Sequence, residues 1–449
     1  MDQVNQFLTV LSGYLWGTPM LVLLLGTHLF FTIRLRFIQR YTGMAIKLSF
    51  KKDSGGAGDV SHFGALTTAL AATIGTGNIV GVATAVAMGG PGAVLWCWLT
   101  GVFGISTKYA EALLGVKYRV RTADGTMLGG PMYALERGLG QKWLAVLFAV
   151  FTAIAAFGIG NMVQSNSISQ LARDTMGLRH EWTGLILTVL VGAVILGGIR
   201  WIAKVCERLV PFMAVVYVLG CAIILMMTAS TLPHTIALIV RSAFTGQAAV
   251  GGFAGATVMM VARYGVARGL FSNESGLGSA PIVAAAARTR NPVRQALVSS
   301  TGTFWDTVVI CAMTGLVIVN TGTWTQKLDG AQLTRAAFST VHSVGPVVLT
   351  FGLLTFVFTT IIGWEYYGER AAEYLLGRRA IWPYRVAWVA AVMVGAVVSL
   401  PVVWNFADVA NALMAIPNLV ALLLLNGVIV RETEAYLWSG HIEEEEARQ

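Results

Sequence analysis

Apolar residues run along this chain in blocks of about twenty, separated by short stretches that hold nearly all the charge. Blocks of that length, coiled as α-helices, match the hydrocarbon thickness of a bilayer. Eleven spans are read, near 14–33, 62–87, 90–115, 142–170, 182–199, 209–228, 234–268, 296–319, 346–368, 385–403 and 408–430. Two of them are not uniform. Residues 62–87 contain Gly75-Thr76-Gly77-Asn78, and residues 234–268 contain Gly251-Gly252-Phe253-Ala254-Gly255-Ala256-Thr257. Such residues weaken a helix, and irregular backbone at membrane depth survives only where protein or a cavity surrounds it. Each interruption therefore points to a site for a small solute or ion. The competing reading, close packing of helices through glycine, is assigned to Gly81, Gly89, Gly90 and Gly104.

Composition agrees. Of 449 residues, 56% are hydrophobic and 12% charged, with a mean hydropathy of +0.69. A soluble domain carries about 25% charged residues, so this is a polytopic, all-α membrane protein. The net charge of +9 is no sign of nucleic-acid binding, because loop position explains it. Loops 34–52, 117–142, 200–208, 288–294 and 370–385 and the tail hold 23 of the 31 basic residues; the opposite side holds Arg173, Arg179, Arg241, Lys327 and Arg335. The positive-inside rule then places the N-terminus outside and the C-terminus inside. Cys97, Cys206, Cys221 and Cys311 are scattered through apolar segments as inert packing residues, and the six histidines form no metal-binding pair. No cleavable signal is evident, and residues 431–449 read as an acidic, solvated cytoplasmic tail.

Setting aside 14–33 as an extra N-terminal helix, ten spans remain within one domain. They divide into 62–228 and 234–430, each opening on an interrupted span, and the two interrupted spans run in opposite directions. Matching breaks in inverted halves are the sequence pointer to a secondary transporter. Residues 268–292, with Asn273, Glu274 and several Gly/Pro breaks, are expected to form an ordered cytoplasmic element beneath the bundle, either a gate or a connector. Lys108 and Glu111, three apart, are expected to pair. Glu365 and Glu369 have Arg370 at hand near an inner helix end. Asp306 lies deeper and is the first candidate should protons be coupled, set against an ordinary hydrogen-bonded bundle residue.

Several blocks occur in order: Ile-Gly-Thr-Gly-Asn-Ile-Val-Gly (74–81), Gly-Gly-Pro-Gly-Ala (89–93) with Trp96 and Trp98, Thr-Lys-Tyr-Ala-Glu (107–111), Gly-Gly-Pro-Met-Tyr (129–133), the 268–281 motif, and Gly-Trp-Glu-Tyr-Tyr-Gly-Glu (363–369). Together they resemble the alanine/glycine:cation symporter family over essentially the whole chain. One departure, Leu95-Trp96-Cys97-Trp98 where such proteins often read Phe-Trp-Met-Trp, is a packing change. The resemblance implies a multi-pass protein of a bacterial-type inner membrane with a leucine-transporter-like (LeuT) fold, five-plus-five inverted repeats preceded by one helix. It further implies symport of alanine, glycine and similar small neutral amino acids, driven by Na⁺ or sometimes H⁺. The alternative is a cation-coupled carrier of a larger neutral amino acid such as serine or glutamine.

A zwitterion needs its carboxylate, ammonium and side chain matched separately. The outer half-helix begins near Gly77, so N–H groups around Thr76, Gly77 and Asn78 can receive a carboxylate at a positive dipole end. The inner half ends near Thr73, leaving the carbonyls of Ala71, Ala72 and Gly75 for a cation. By resemblance to the fold, Thr359 and Thr360 complete a Na⁺ site with those carbonyls; bonding back to their own helix is the alternative. Trp364, one turn on, either walls the side-chain pocket or simply packs. On 142–170, Gln164 is a candidate for the ammonium, with Asn161 on its face and Phe157 one turn earlier closing the pocket. Phe253, Gly255 and Thr257 complete the candidate set. No filter of a channel and no catalytic constellation is visible, and no obligatory protein partner is evident.

Overall fold

The computed structural model describes residues 2–51, 56–245, 258–328, 330–342, 344–398 and 401–444. Each of the eleven expected spans overlaps a helix. Among the described residues, six helices are individually long and apolar enough to cross a membrane: Lys142–Asp174, Gly198–Met227, Pro292–Asn320, Gly345–Leu376, Arg378–Val397 and Asn405–Leu424. Two bent pairs, Gln3–Leu15 with Thr18–Arg34 and His62–Thr73 with Gly77–Gly89, raise that number to eight. The other expected spans correspond to Ala93–Lys117, the shorter His180–Ile195, and Leu232–Thr245 with Val258–Asn273. Val120–Arg121 departs from all-α, pairing antiparallel with Met127–Leu128 in a loop hairpin.

The first interrupted helix starts and stops for local reasons. The Ser61 hydroxyl accepts from Gly64 N at 2.8 Å, a side-chain N-cap. The ladder runs to Ile74 N, which donates to Leu70 O at 2.8 Å. The next amide, Gly75 N, turns instead to Asn78 Oδ1 at 2.8 Å. The helix axis bends by 53° at this point before resuming through a π-turn, Gly77–Gly81, into Val82–Gly89.

The second interrupted span carries a further break. Residues 250–257, with the candidates Phe253, Gly255 and Thr257, lie outside the described residues. The described break falls later, between Val258–Asn273 and Ala280–Ala284. Residues 272–287 are buried throughout, so this segment is the middle of the bundle and not an element beneath it. Glu274 takes a left-handed φ of 54°, and Gly276 and Gly278 take φ of 93° and 85°, a path that two Cβ atoms would obstruct. Polar residues that suggest a solvated loop are there to satisfy this turn. Asn273 Oδ1 accepts from Ser275 N at 2.9 Å, and Ser275 Oγ pairs with Thr303 Oγ1 at 3.1 Å.

A second correction follows from the same turn. Glu111 does not pair with Lys108. Its Oε1 accepts from Gly276 N at 3.0 Å, Gly278 N at 2.9 Å and Asn418 Nδ2 at 2.7 Å, clamping the break from outside. Lys108 Nζ is buried with no hydrogen-bond partner among the described residues. The Glu365–Glu369 region forms a denser network: Arg370 bonds both Glu369 and Glu373, and Arg385 bonds Glu369 and lies 3.8 Å from Glu365.

The two interrupted helices are tied together at the basic face. Residues 57–60, leading into the first, bridge to 287–289, which follow the second. Arg119 fastens the joint by donating to the carbonyls of Ala285 at 3.0 Å, Ala287 at 2.8 Å and Ala57 at 3.0 Å. The chain's last described residues lie over it. Glu443 bonds Lys51 at 2.9 Å and the buried Arg294 at 2.5 Å, and Asn291 donates to the carbonyls of Ile442 and Glu444. Those bonds, Lys51 first, hold the Glu443 carboxyl below the ordinary carboxylate range. Docking is therefore complete at neutral pH and weakens only as pH falls through that depressed value.

Arg119→Ala is expected to remove all three carbonyl bonds and lower stability by roughly 2–3 kcal/mol, seen as a lower Tm of the purified protein. An unchanged Tm would show that the joint stands without it.

Candidate functional site

The two breaks meet. Phe271 and Ser272, at the end of the first half of the second interrupted helix, pack on Gly77 of the other. Around this meeting point lies a small cavity with about 10 Å3 of free space, room for roughly one water, lined by Ala72, Thr73, Gly75, Thr76, Gly77, Ile159, Gln164, Phe271, Glu274, Thr360, Trp364 and Asn411. Among the described residues no cluster of three or more His, Cys, Asp or Glu is placed to hold a metal ion.

Five elements supply the walls. Helix Gly345–Leu376 brings Thr360 and Trp364, one turn apart. Thr360 Oγ1 donates to Phe356 O at 2.9 Å and lies 3.2 Å from Ile74 O, at the end of the first half-helix. Trp364 is wholly buried, and its Nε1 donates to Glu274 Oε1 at 3.0 Å. Its ring stands against Gly160, where a Cβ would lie 2.2 Å from that of Trp364, so only glycine admits the indole here. Ser279 donates to the other Glu274 oxygen at 2.5 Å.

Gln164 spends its amide nitrogen on Ile159 O at 2.9 Å and Thr76 Oγ1 at 3.3 Å. Its Oε1 is left buried and without a partner among the described residues, as is Asn411 Oδ1. The Gln164 oxygen faces the break, 3.5 Å from where a Cβ on Gly75 would stand. The cavity thus presents two unpaired carbonyl oxygens and a carboxylate beside the start of the outer half-helix at Thr76 and Gly77.

Of the residues expected from sequence, the cavity brings together Ala72, Gly75, Thr76, Gly77, Gln164, Thr360 and Trp364. Four others point elsewhere. Asn78 Nδ2 donates to Asp306 Oδ1 at 2.6 Å, holding the break and not facing the cavity. Phe157 packs on Tyr384 and Trp388, with ring centroids 5.0 Å and 5.3 Å apart. Asn161 donates to Trp388 O at 2.9 Å. Thr359 turns back to Phe356 O at 2.9 Å, with Met213 Sδ at 3.6 Å. The reason for Phe157 and Asn161 is a π-turn over Ala156–Met162, which carries both toward the helix Ile381–Val397. Sequence reasoning missed Phe271, Glu274, Ile159, Thr73 and Asn411. Glu274 carries a signal: an acidic residue followed by two glycines at alternate positions, between apolar flanks.

Asp306 is fully buried, and its carboxylate also accepts from Ser272 at 3.0 Å and Thr307 at 2.6 Å. It links the first break to the second interrupted helix, which is a bracing geometry.

A polytopic helical bundle with two interrupted helices meeting at a small polar cavity is the architecture of a secondary transporter, not of an enzyme. Solved structures agree on the fold. A crystal structure of MhsT in complex with L-phenylalanine superimposes with a TM-score of 0.62 over 86% of this chain and 95% of that one, at 14% identity. The chain has the LeuT-like fold. Its sequence matches the sodium:alanine symporter family over residues 1–449, and it belongs to that family. It is 51% identical over 447 residues to the sodium/alanine symporter AgcS of Methanococcus maripaludis, covering 97% of this chain and 98% of AgcS. It is 37% identical to the probable sodium/glutamine symporter GlnT of Bacillus subtilis, covering 97% and 91%. The protein is a multi-pass membrane protein that carries out cation-coupled amino-acid symport.

Gly160→Ala is expected to displace Trp364 and cost about 1–3 kcal/mol through overpacking, with a matching loss of uptake. Gly192→Ala, whose new methyl meets nothing closer than 3.9 Å, should leave the Tm unchanged. Equal melting of both variants would show that Trp364 can shift freely.

Proposed function

We propose that the protein takes up alanine and other small neutral amino acids, including glycine, driven by Na⁺, with the zwitterion bound between the two breaks. The observation that carries this reading is the pair of unpaired oxygens, Gln164 Oε1 and Asn411 Oδ1, beside the Glu274 carboxylate. Buried acceptors without donors are costly, and an ammonium supplies three donors at once. The substrate carboxylate takes the opposite end, at the amides of Thr76 and Gly77, where the outer half-helix begins. Trp364, fixed by Gly160 and Glu274, closes the space beside the side chain, and so little free space around the breaks favours a small one.

For the coupling ion, hard oxygens are the fitting ligands. The Thr360 hydroxyl beside Ile74 O, with the carbonyls of Ala72 and Gly75 at the end of the first half-helix, supplies them. Thr359 is not included, because its hydroxyl faces Met213 and not the end of the first half-helix. Asp306 is read as a brace and not as the proton carrier. Alternation of access then separates and rejoins the joint between 57–60 and 287–289 while the cavity stays at the breaks. The opposed directions of the two halves, 62–228 and 234–430, supply two related elements for such rocking.

The deciding experiment is alanine uptake into proteoliposomes under an imposed Na⁺ gradient and, separately, an imposed pH gradient. Concentrative uptake on the Na⁺ gradient alone is expected. Uptake on the pH gradient alone would overturn the ion assignment, and uptake of glutamine without alanine would overturn the substrate. Thr360→Ala is expected to raise the Na⁺ concentration for half-maximal uptake by about tenfold, the loss of one strong ligand. An unaltered Na⁺ dependence would remove Thr360 from the site. Trp364→Ala should extend uptake to larger side chains, read by competition with leucine; unchanged selectivity would count against a wall.

A further inference from the structure

A second cavity lies on the outside of the bundle. It is a groove of about 370 Å3 between the first half of the first interrupted helix, which presents Leu66 and Leu70, and helix Gly198–Met227, which presents Val215 and Leu219, with Trp305 also lining it. All but Ser49 and Thr67 of its lining side chains are hydrocarbon or aromatic, and Thr67 bonds back to Phe63 O at 2.9 Å. Such a groove offers water nothing and suits an acyl chain.

At its basic end the same helix carries a different surface. A third, shallow cavity, of about 410 Å3, is lined by Trp201, Lys204, Val205, Arg208, Leu209 and Phe212. Lys204 and Arg208 are exposed, and neither has an ion-pair partner among the described residues; the neighbouring Glu207 bonds Ser61 at 2.6 Å. Lys204 lies 6.0 Å over the ring of Trp201, itself an exposed interfacial aromatic. Residues 204, 208, 211, 215 and 219 follow one another at intervals of three or four, so cations and groove form a single stripe. From 204 to 219 the helix rises about 22 Å, near the depth of one leaflet with its headgroup.

We propose that this stripe is a binding site for one anionic phospholipid, its phosphate at Lys204 and Arg208 and an acyl chain in the groove. The cations select the charge of the lipid, and the groove fixes where its tail lies. That tail occupies the space beside His62–Thr73, the half-helix tied to 287–289 at the basic face, so its presence opposes outward movement of that half-helix. None of this rests on the substrate or ion assigned to the central cavity.

The test is native mass spectrometry of the purified, delipidated full chain titrated with phosphatidylglycerol and, separately, phosphatidylcholine. The wild type is expected to retain phosphatidylglycerol about tenfold more tightly, in keeping with two basic residues at an anionic headgroup. The double variant K204Q/R208Q should bring the two lipids to parity. Val215→Trp, which fills the groove from an exposed position, should lower retention of both, with size exclusion confirming an intact fold in each variant. Equal retention of the two lipids by the wild type, or a preference that survives in K204Q/R208Q, would overturn the headgroup assignment. Unaltered retention by Val215→Trp would overturn the placement of the chain.

Discussion

Interrupting a helix inside an apolar bundle releases amides and carbonyls where water cannot reach them, and each must find a partner or impose its full desolvation cost. This molecule meets that requirement twice, by one device. At each break a side-chain amide donates to a carboxylate supplied by a different helix. Asn78 donates to Asp306 while its oxygen takes the freed Gly75 amide, and Asn418 donates to Glu111 while that carboxylate takes the amides of Gly276 and Gly278. The irregular backbone is thereby fixed, leaving the cavity between the breaks with a defined shape.

The two braces also cross. Under the five-plus-five division, Glu111 and Asp306 lie on the second helix of their respective halves, and each holds the break of the other. Asp306 adds Ser272, so a single carboxylate touches both interrupted helices. Neither break can therefore reshape without straining the opposite half, which is a physical basis for coordinated movement of two elements far apart in sequence. The joint between 57–60 and 287–289 repeats the theme at the basic face with backbone bridges and one guanidinium.

Much of this was legible in the residues, and the failures have definite causes. Hydropathy located the helices, and Gly75-Thr76-Gly77-Asn78 located the first break, because both signals depend only on local composition. The break expected at the densest glycine run, 250–257, lies outside the described residues. A further break lies where Asn273, Glu274 and Ser275 stand beside spaced glycines, polar residues that resemble a solvated loop until their internal partners are known. Helical-face arithmetic misplaced Phe157 and Asn161 because a π-turn, invisible to a 3.6-residue period, changes the direction of side chains through it. Gln164, past the turn, lines the cavity. Thr359 and Thr360 are neighbours in sequence yet face different surroundings, and only packing against Met213 on one side and Ile74 on the other distinguishes them.

The docking of Glu443 on Lys51 and Arg294 has a consequence for biogenesis. Glu443 and Lys51 are 392 residues apart, so on the ribosome the basic face is laid down long before its last contact exists. At roughly 5–20 residues per second, that interval is roughly 20–80 s. Arg294 is made within that interval and lacks the carboxylate that later covers it for the last 149 residues, roughly 7–30 s. Translation order thus sets a waiting period before the basic face can be completed, and truncated products of the same message would be inserted yet permanently unfinished on that side.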